Sequence, residues 1–407
     1  MIANIRNQTA NFWFIFFASL VSINFWSFQL IDKQINKALD VVVLTGLFMV
    51  VLFLHRNMRN RELNFRYNVY FFLFIPFLGC FGAYIYHGQP LWPTIAIIRS
   101  NFFWLFYFVL HILNIPKKQV INIMLFLGSI WICLSVGQQF TYPHAYFYTR
   151  GESDEKTVLR AGVYRFMPNK LQYGQFLIYY CFHQYLTRMK LKYLVFVLCG
   201  LAGLYYHGAR QYIGASILCL GLAVLFAKGK PKLNAITMAF GGAAALLFFK
   251  DALFGEYIKM TTGQVENSDD DIRMLSANFF LNEYWPSWVT KIIGNGPDIK
   301  GGSYGDEIDA MRQYFHFYRS DVGIIGSYNL WGIFYVINVF WVTLKGLSLK
   351  FYKPNNRYLQ LFFFNVLMIL IINETFDSPA TIPFYCFIFY LIDKTYLENK
   401  LGQEEVA

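Results

Sequence analysis

Long apolar runs broken by short polar turns set the rhythm of this chain. Twelve such runs can be marked, at roughly 11–31, 38–54, 69–86, 93–113, 120–140, 171–187, 193–207, 210–226, 235–250, 322–344, 358–373 and 380–393. A helix of about 20 residues crosses a hydrocarbon core about 30 Å thick, and most of the runs approach that length. The runs at 193–207 and 210–226 are short and form a hairpin turning at His207-Gly208-Ala209. The last run has a short apolar core and carries Pro383. The alternating ten-residue segments of a β-barrel do not occur. The pattern predicts an all-α polytopic membrane protein, one integral membrane domain over residues 1–407 with about 12 transmembrane helices.

Two polar interruptions break the rhythm, at 141–170 and at 251–320. The longer one, between the ninth and tenth runs, extends from Lys250 to Asp321 and holds Asp269-Asp270-Asp271, Arg273, Trp285-Pro286, GNGPD and HFYRSD. In a chain that is otherwise span, a loop of this length is where soluble chemistry is housed.

Composition agrees with the pattern: 56% hydrophobic, 14% charged, mean hydropathy +0.37. The net charge of +11 would suit nucleic acid, but its distribution points to membrane topology instead. With the N-terminus inside, the inner segments hold 19 lysines and arginines, among them Arg56, Arg59, Arg61, Lys228, Lys230 and Lys232. The short outer loops hold only Lys33, Lys37 and Arg210. The bias toward one side predicts cytoplasmic termini and places loops 141–170 and 251–320 outside. No nucleic-acid partner is expected. The six cysteines fall within apolar runs and read as small core residues. No cleavable signal is evident, and the first run is long enough to remain as an anchor.

Four stretches carry candidate chemistry. Residues 159–176, LRAGVYRFMPNKLQYGQF, bring Arg160 and Arg165 close to a helix start. Forked guanidinium donors beside a helix N-terminus suit a phosphate, and lipid headgroups are the competing partner. Arg210 follows a tight turn at the start of a span, where a charge near hydrocarbon either serves a ligand or snorkels to headgroups. His207 beside it reads as a surface residue at a helix end. Arg273, Trp285 and Gly294-Asn295-Gly296-Pro297 mark the third stretch. His316 to Asp321, ahead of Gly323 and Gly326, mark the fourth. Its residues have plainer alternatives: His316 as an aromatic-packed loop histidine, Asp321 as the N-cap of the tenth span.

An arginine with a glycine two residues on and Pro-Asn before a span resembles the O-antigen ligase and Wzy-type polysaccharide polymerase superfamily. Gly208-Ala209-Arg210, Arg273 with Trp285 and the G-x-G-P turn, and His316 to Asp321 before Gly323 and Gly326 resemble its further landmarks, in order. The likeness covers roughly residues 155–335. An HN pair expected ahead of the glycines is absent, and SDVGIIG is closer to the polymerase branch. The resemblance implies a GT-C-like membrane glycosyltransferase that needs no metal or other cofactor. It would join repeat units carried on undecaprenyl pyrophosphate into O-antigen, capsular or exopolysaccharide at the outer face of the bacterial cytoplasmic membrane. Donor and acceptor glycans, the bilayer, a chain-length regulator and a flippase are the partners it implies.

The residues suit that chemistry. Pyrophosphate is already an activated leaving group, so the site chiefly needs cations to meet its growing charge. Arg160, Arg165, Arg210, Arg273 and Arg319 are candidates. His316 or Asp321 would take the acceptor's proton. Glu374 and Asp377, at the outer end of the eleventh span, are further acids whose plainer reading is a solvated helix end. The Asp269–Asp271 run lacks metal-ligand spacing and reads as a helix start. Outer-loop tyrosines such as Tyr146, Tyr148 and Tyr164 suit sugar stacking or the interfacial aromatic belt. Two other functions compete: a ligase transferring glycan to lipid A core, and a transporter. A transporter would place ionisable residues mid-span between pseudo-symmetric halves, whereas here mid-span charges are few, Arg99 the clearest, and the halves look unlike each other.

Overall fold

The computed structural model describes residues 2–28, 31–55, 63–141, 144, 146, 158–160, 163–165, 171–208, 210–227, 236, 272–352, 356–372, 376–378 and 381–404. Helices α1 (Ile2–Ser22), α2 (Lys33–Leu54) and α3 (Arg66–His87) come first. Helix α4 (Leu91–Ile97) runs through a 3-10 segment, Ile98–Trp104, into α5 (Leu105–Ile112), and α6 (Lys117–Thr141) follows. A small antiparallel hairpin of β1 (Val158–Arg160) and β2 (Val163–Arg165) precedes α7 (Leu171–Arg188), α8 (Leu191–His207) and α9 (Arg210–Phe226). The described part of the long loop holds α10 (Ile272–Asn278), α11 (Trp288–Ile293) and α12 (Ser303–Ala310). The chain returns through α13 (Gly323–Trp331), α14 (Ile333–Leu347), α15 (Tyr358–Ile369) and α16 (Ile382–Glu404).

Four helical stretches, in α2, in α3, over Leu91–Ile112 and in α6, are long and apolar enough to cross a membrane, which fits an α-helical membrane protein. Helix α2 leaves Val42, Phe48, Leu52 and Phe53 more than half exposed, an apolar face suited to lipid. Asp32 starts this helix by accepting a 2.7 Å hydrogen bond from the Gln34 N–H.

Several expected boundaries move. The first run is not one helix over 11–31: α1 ends at Ser22 and the chain turns at Asn24 and Phe25, both at φ +46°. The tenth run is split, because Gly332 (φ +79°) separates α13 from α14. Pro383 does not weaken the last helix. It lies in the first turn of α16, where no N–H is required. Of the ninth run only Ile236 is described; Asp269–Asp271, Glu374 and most of loop 141–170 lie outside the described residues.

Close packing orients the helices. A Cβ on Gly174 would lie 2.4 Å from the Trp131 ring, and one on Gly200 2.4 Å from Ile178, so α7 and α8 approach their neighbours through missing side chains. A stack of rings fills the centre: Phe72 on Trp104 at 4.6 Å and Phe65 on Phe389 at 4.5 Å.

The bundle has two distinct ends. At one, Asp393 of α16 is fully buried and accepts from the Asn64 N–H (3.0 Å) and the Tyr107 hydroxyl, with His111 Nε2 at 3.5 Å. Lys345 and Lys394 also lie there, donating to the Asn64 carbonyl and the Asn114 side chain. At the other end the α3 terminus meets the long loop, and the first turns of α7 and α16 meet through Tyr173 and Phe384 (5.2 Å).

Candidate functional site at the loop-bearing end

The G-x-G-P turn acts as a wedge. Asn295 and Gly296 donate backbone hydrogen bonds, each 2.9 Å, to the carbonyls of Asn329 and Leu330, where α13 ends. Gly294 (φ +88°) has room for no side chain, because a Cβ there would fall 2.3 Å from the Leu330 oxygen. Gly296 (φ +74°) is equally confined, 2.2 Å from the Gly79 oxygen of α3. The turn therefore joins the loop to two helices of the bundle through backbone contacts that only glycine permits.

Polar side chains complete the joint. Asn295 Nδ2 donates to the Tyr284 carbonyl at 3.1 Å, and its Oδ1 lies 3.3 Å from His87 Nε2 at the end of α3. Asn329 Nδ2 bonds the carbonyls of Phe280 and Tyr284, both at 3.1 Å. Buried Gln89 donates to the Pro297 carbonyl (2.8 Å) and accepts from the Ile299 N–H (2.8 Å). Loop segment 272–321 is thus a docked platform.

Arg319 sits at its centre, 8% exposed. Its guanidinium donates to the Tyr304 hydroxyl at 2.7 Å and lies 5.7 Å from the ring centres of Phe280, Tyr284 and Tyr304. Asp298 is 3.6 Å away and is shared with Arg312, which reaches it at 3.1 Å and Asp309 at 2.7 Å. His87 stacks on Tyr304 at 3.9 Å from outside the box. Burial opposes the cation, but Tyr304 and Asp298 outweigh it and hold Arg319 above the ordinary arginine value. Burial pushes the Tyr304 phenol up, so it stays neutral and the facing negative charge is Asp298. Of the five arginines read as pyrophosphate contacts, this one is engaged within the platform itself.

The other expected residues scatter across the same end. Arg160 and Arg165 lie on the hairpin, with Arg160 paired to Val163 and Arg165 to Val158. Arg210 is the first residue of α9. Arg273 is exposed on α10. His316 is exposed in the left-handed region (φ +56°), outside the Phe315–Phe317 ring pair (5.7 Å), so it is not packed among aromatics. Asp321 is exposed and accepts from Ser320 at 3.2 Å. It does not cap α13, whose start has no side-chain cap. His207 is buried against Trp131 (5.8 Å), correcting its reading as a surface residue.

Asp377 also departs from its solvated reading. It is partly buried and accepts a 2.6 Å hydrogen bond from Ser327 of α13. Burial raises its pKa above the ordinary aspartate value, while Ser327 and Trp331 work in the opposite direction. Nearby, the Ile324 N–H donates to the Leu370 carbonyl at 2.8 Å, joining α13 to the end of α15. Among the described residues no three His, Cys, Asp or Glu side chains gather as a metal site. Ser327, Asp298, His87 and Gln89 escape sequence reasoning, since each is defined by partners many residues away. No protein-family model matches this chain, and no curated protein matches it.

Proposed function

We propose that the chain is a membrane glycosyltransferase that polymerises oligosaccharide repeat units carried on undecaprenyl pyrophosphate. In this reading it has about 12 spans and cytoplasmic termini, and its platform faces outward from the bacterial cytoplasmic membrane. The observation that carries the reading is a docked loop platform at the bundle end where α7 and α9 begin, each preceded or opened by arginine. Lys345 and Lys394 lie at the opposite end, as inward-facing positive charge requires.

The chemistry follows from the donor. The pyrophosphate leaves with an added negative charge, which Arg160, Arg165 and Arg210 meet without a metal. Arg273, exposed on α10, is a further cation on the platform. SDVGIIG in the polymerase-like form, without the HN pair of the ligase pattern, favours polymerase over ligase.

Deletion and complementation in the native host test the reading. Loss of a polymerase leaves one repeat unit on lipid A core, whereas loss of a ligase leaves bare core and stranded carrier-linked glycan. A transport defect strands single units on the cytoplasmic side. Arg160→Ala and Arg210→Ala should remove long-chain glycan while the protein remains in the membrane. Wild-type chain lengths from both variants would overturn the proposal.

A further inference from the structure

Helix α13 carries Ser327 and Trp331 one turn apart, so both side chains lie on one face. That face meets the connection between α15 and α16, where Asp377 sits. Asp377 Oδ2 accepts from Ser327 at 2.6 Å, whereas Oδ1 is buried and has no hydrogen-bond partner among the described residues. The Trp331 indole and the backbone N–H groups of Asp377 and Ser378 also stabilise the carboxylate, although neither Oδ1 nor the indole N–H makes a regular hydrogen bond among the described residues. Oδ2 is therefore held by Ser327, while Oδ1 makes no regular hydrogen bond among the described residues. A buried, unsatisfied carboxylate oxygen is costly in a purely structural link.

We propose that Asp377 takes the proton from the acceptor sugar hydroxyl, with Ser327 holding its carboxylate in place. The assignment rests on the glycosyl-transfer reading above. Position supports it: adjacent Phe376 is fully buried and packs on Tyr385 at 4.4 Å and Phe72 at 5.3 Å. Gly323 allows α13 to press on the end of α15, since a Cβ would fall 2.4 Å from the Leu370 oxygen. Such packing fixes a reacting group before substrate arrives.

Burial brings the carboxyl nearer to neutral pH, where it is a better base than an exposed aspartate. His316 and Asp321 have no comparable support, because both are exposed. In the step, the acceptor O–H proton passes to Asp377 Oδ1 as the acceptor oxygen bonds the anomeric carbon of the donor. The bond from that carbon to the phosphate oxygen breaks, and its electron pair leaves on the lipid pyrophosphate. Asp377 then releases the proton to water.

The test uses the full chain in liposomes with undecaprenyl-pyrophosphate-linked repeat units, and follows initial rates against pH. Asp377→Asn preserves shape and the Ser327 contact but cannot accept the proton. It should lower kcat by about 10²–10⁴-fold with donor KM nearly unchanged, and Asp377→Glu should recover part of the loss. Ser327→Ala removes a hydrogen bond to the carboxylate and should move the rising limb of the rate profile to higher pH. His316→Ala and Asp321→Ala should stay within about tenfold of wild type. An Asp377→Asn enzyme of near wild-type kcat overturns the assignment. If that variant does not fold, an unmoved limb in Ser327→Ala overturns it instead. An inactive Arg210→Ala beside an active Asp377→Asn rejects the base and keeps the reaction. A wild-type protein that lengthens nothing rejects both.

Discussion

Arg319 donates a 2.7 Å hydrogen bond to Tyr304 inside a box of three aromatic rings, with Asp298 3.6 Å from the same guanidinium. The arrangement makes Arg319 a support of the platform. Arg319→Met should lower the melting temperature of the purified protein, because the Tyr304 hydroxyl loses its buried donor and Asp298 is left with Arg312 alone. Losing a hydrogen bond to a charged group costs about 1.5–3 kcal/mol. Asp298→Asn should have a similar effect, since Arg319 and Arg312 share that carboxylate. Unchanged melting in both variants would show that the box does not carry the platform.

The wedge gives a sharper steric prediction. Gly294→Ala and Gly296→Ala place a methyl 2.3 Å and 2.2 Å from backbone oxygens of α13 and α3, at positive φ. Neither oxygen can withdraw without moving a helix. Each substitution should expose the loop to protease in isolated membranes. Gly301→Ala, where nothing lies within 4 Å, should be milder despite its φ of +81°.

The raised Asp377 pKa has a consequence for stability. A carboxyl whose folded pKa exceeds its unfolded value, about 3.9, binds more protons when folded. Stability then falls as pH rises from that value through the folded pKa. Asp377→Asn removes the titration, so its melting temperature should vary less with pH over this window and match or exceed wild type at neutral pH. A steeper dependence in the variant would contradict the burial argument.

At the other end of the bundle, Asp393 is fully buried beneath Tyr107, His111 and the Asn64 N–H. Asp393→Ala should reduce the amount of folded protein by leaving those donors unsatisfied, at about 1–3 kcal/mol for each group. Activity per folded molecule should be retained. A normal yield with lost activity would bring this end into the chemistry.

Much of the helical layout is legible in the sequence because apolar runs and turn residues act locally. The α8–α9 hairpin follows from His207-Gly208-Ala209, and Gly208 caps α8 at φ +72°. The platform is less legible. In HFYRSD, Arg319 reads as a cation for pyrophosphate, yet it is buried because Phe280, Tyr284 and Tyr304 close over it from elsewhere in the loop. The G-x-G-P turn is visible as a motif, but its partners are Gly79 and Leu330, far away in the chain. Asp377 looks like a helix-end acid until Ser327 is brought to it across 50 residues. Periodicity records which face of an element is apolar and says nothing of which distant atom meets it.

The most direct test of the account is elongation by the purified protein in liposomes, given only undecaprenyl-pyrophosphate-linked repeat units. A polymerase yields a ladder of longer carrier-linked glycans, with lipid pyrophosphate released at each step and no change on adding a chelator. Repeat units that stay at unit length, or that only cross the bilayer, would contradict the account.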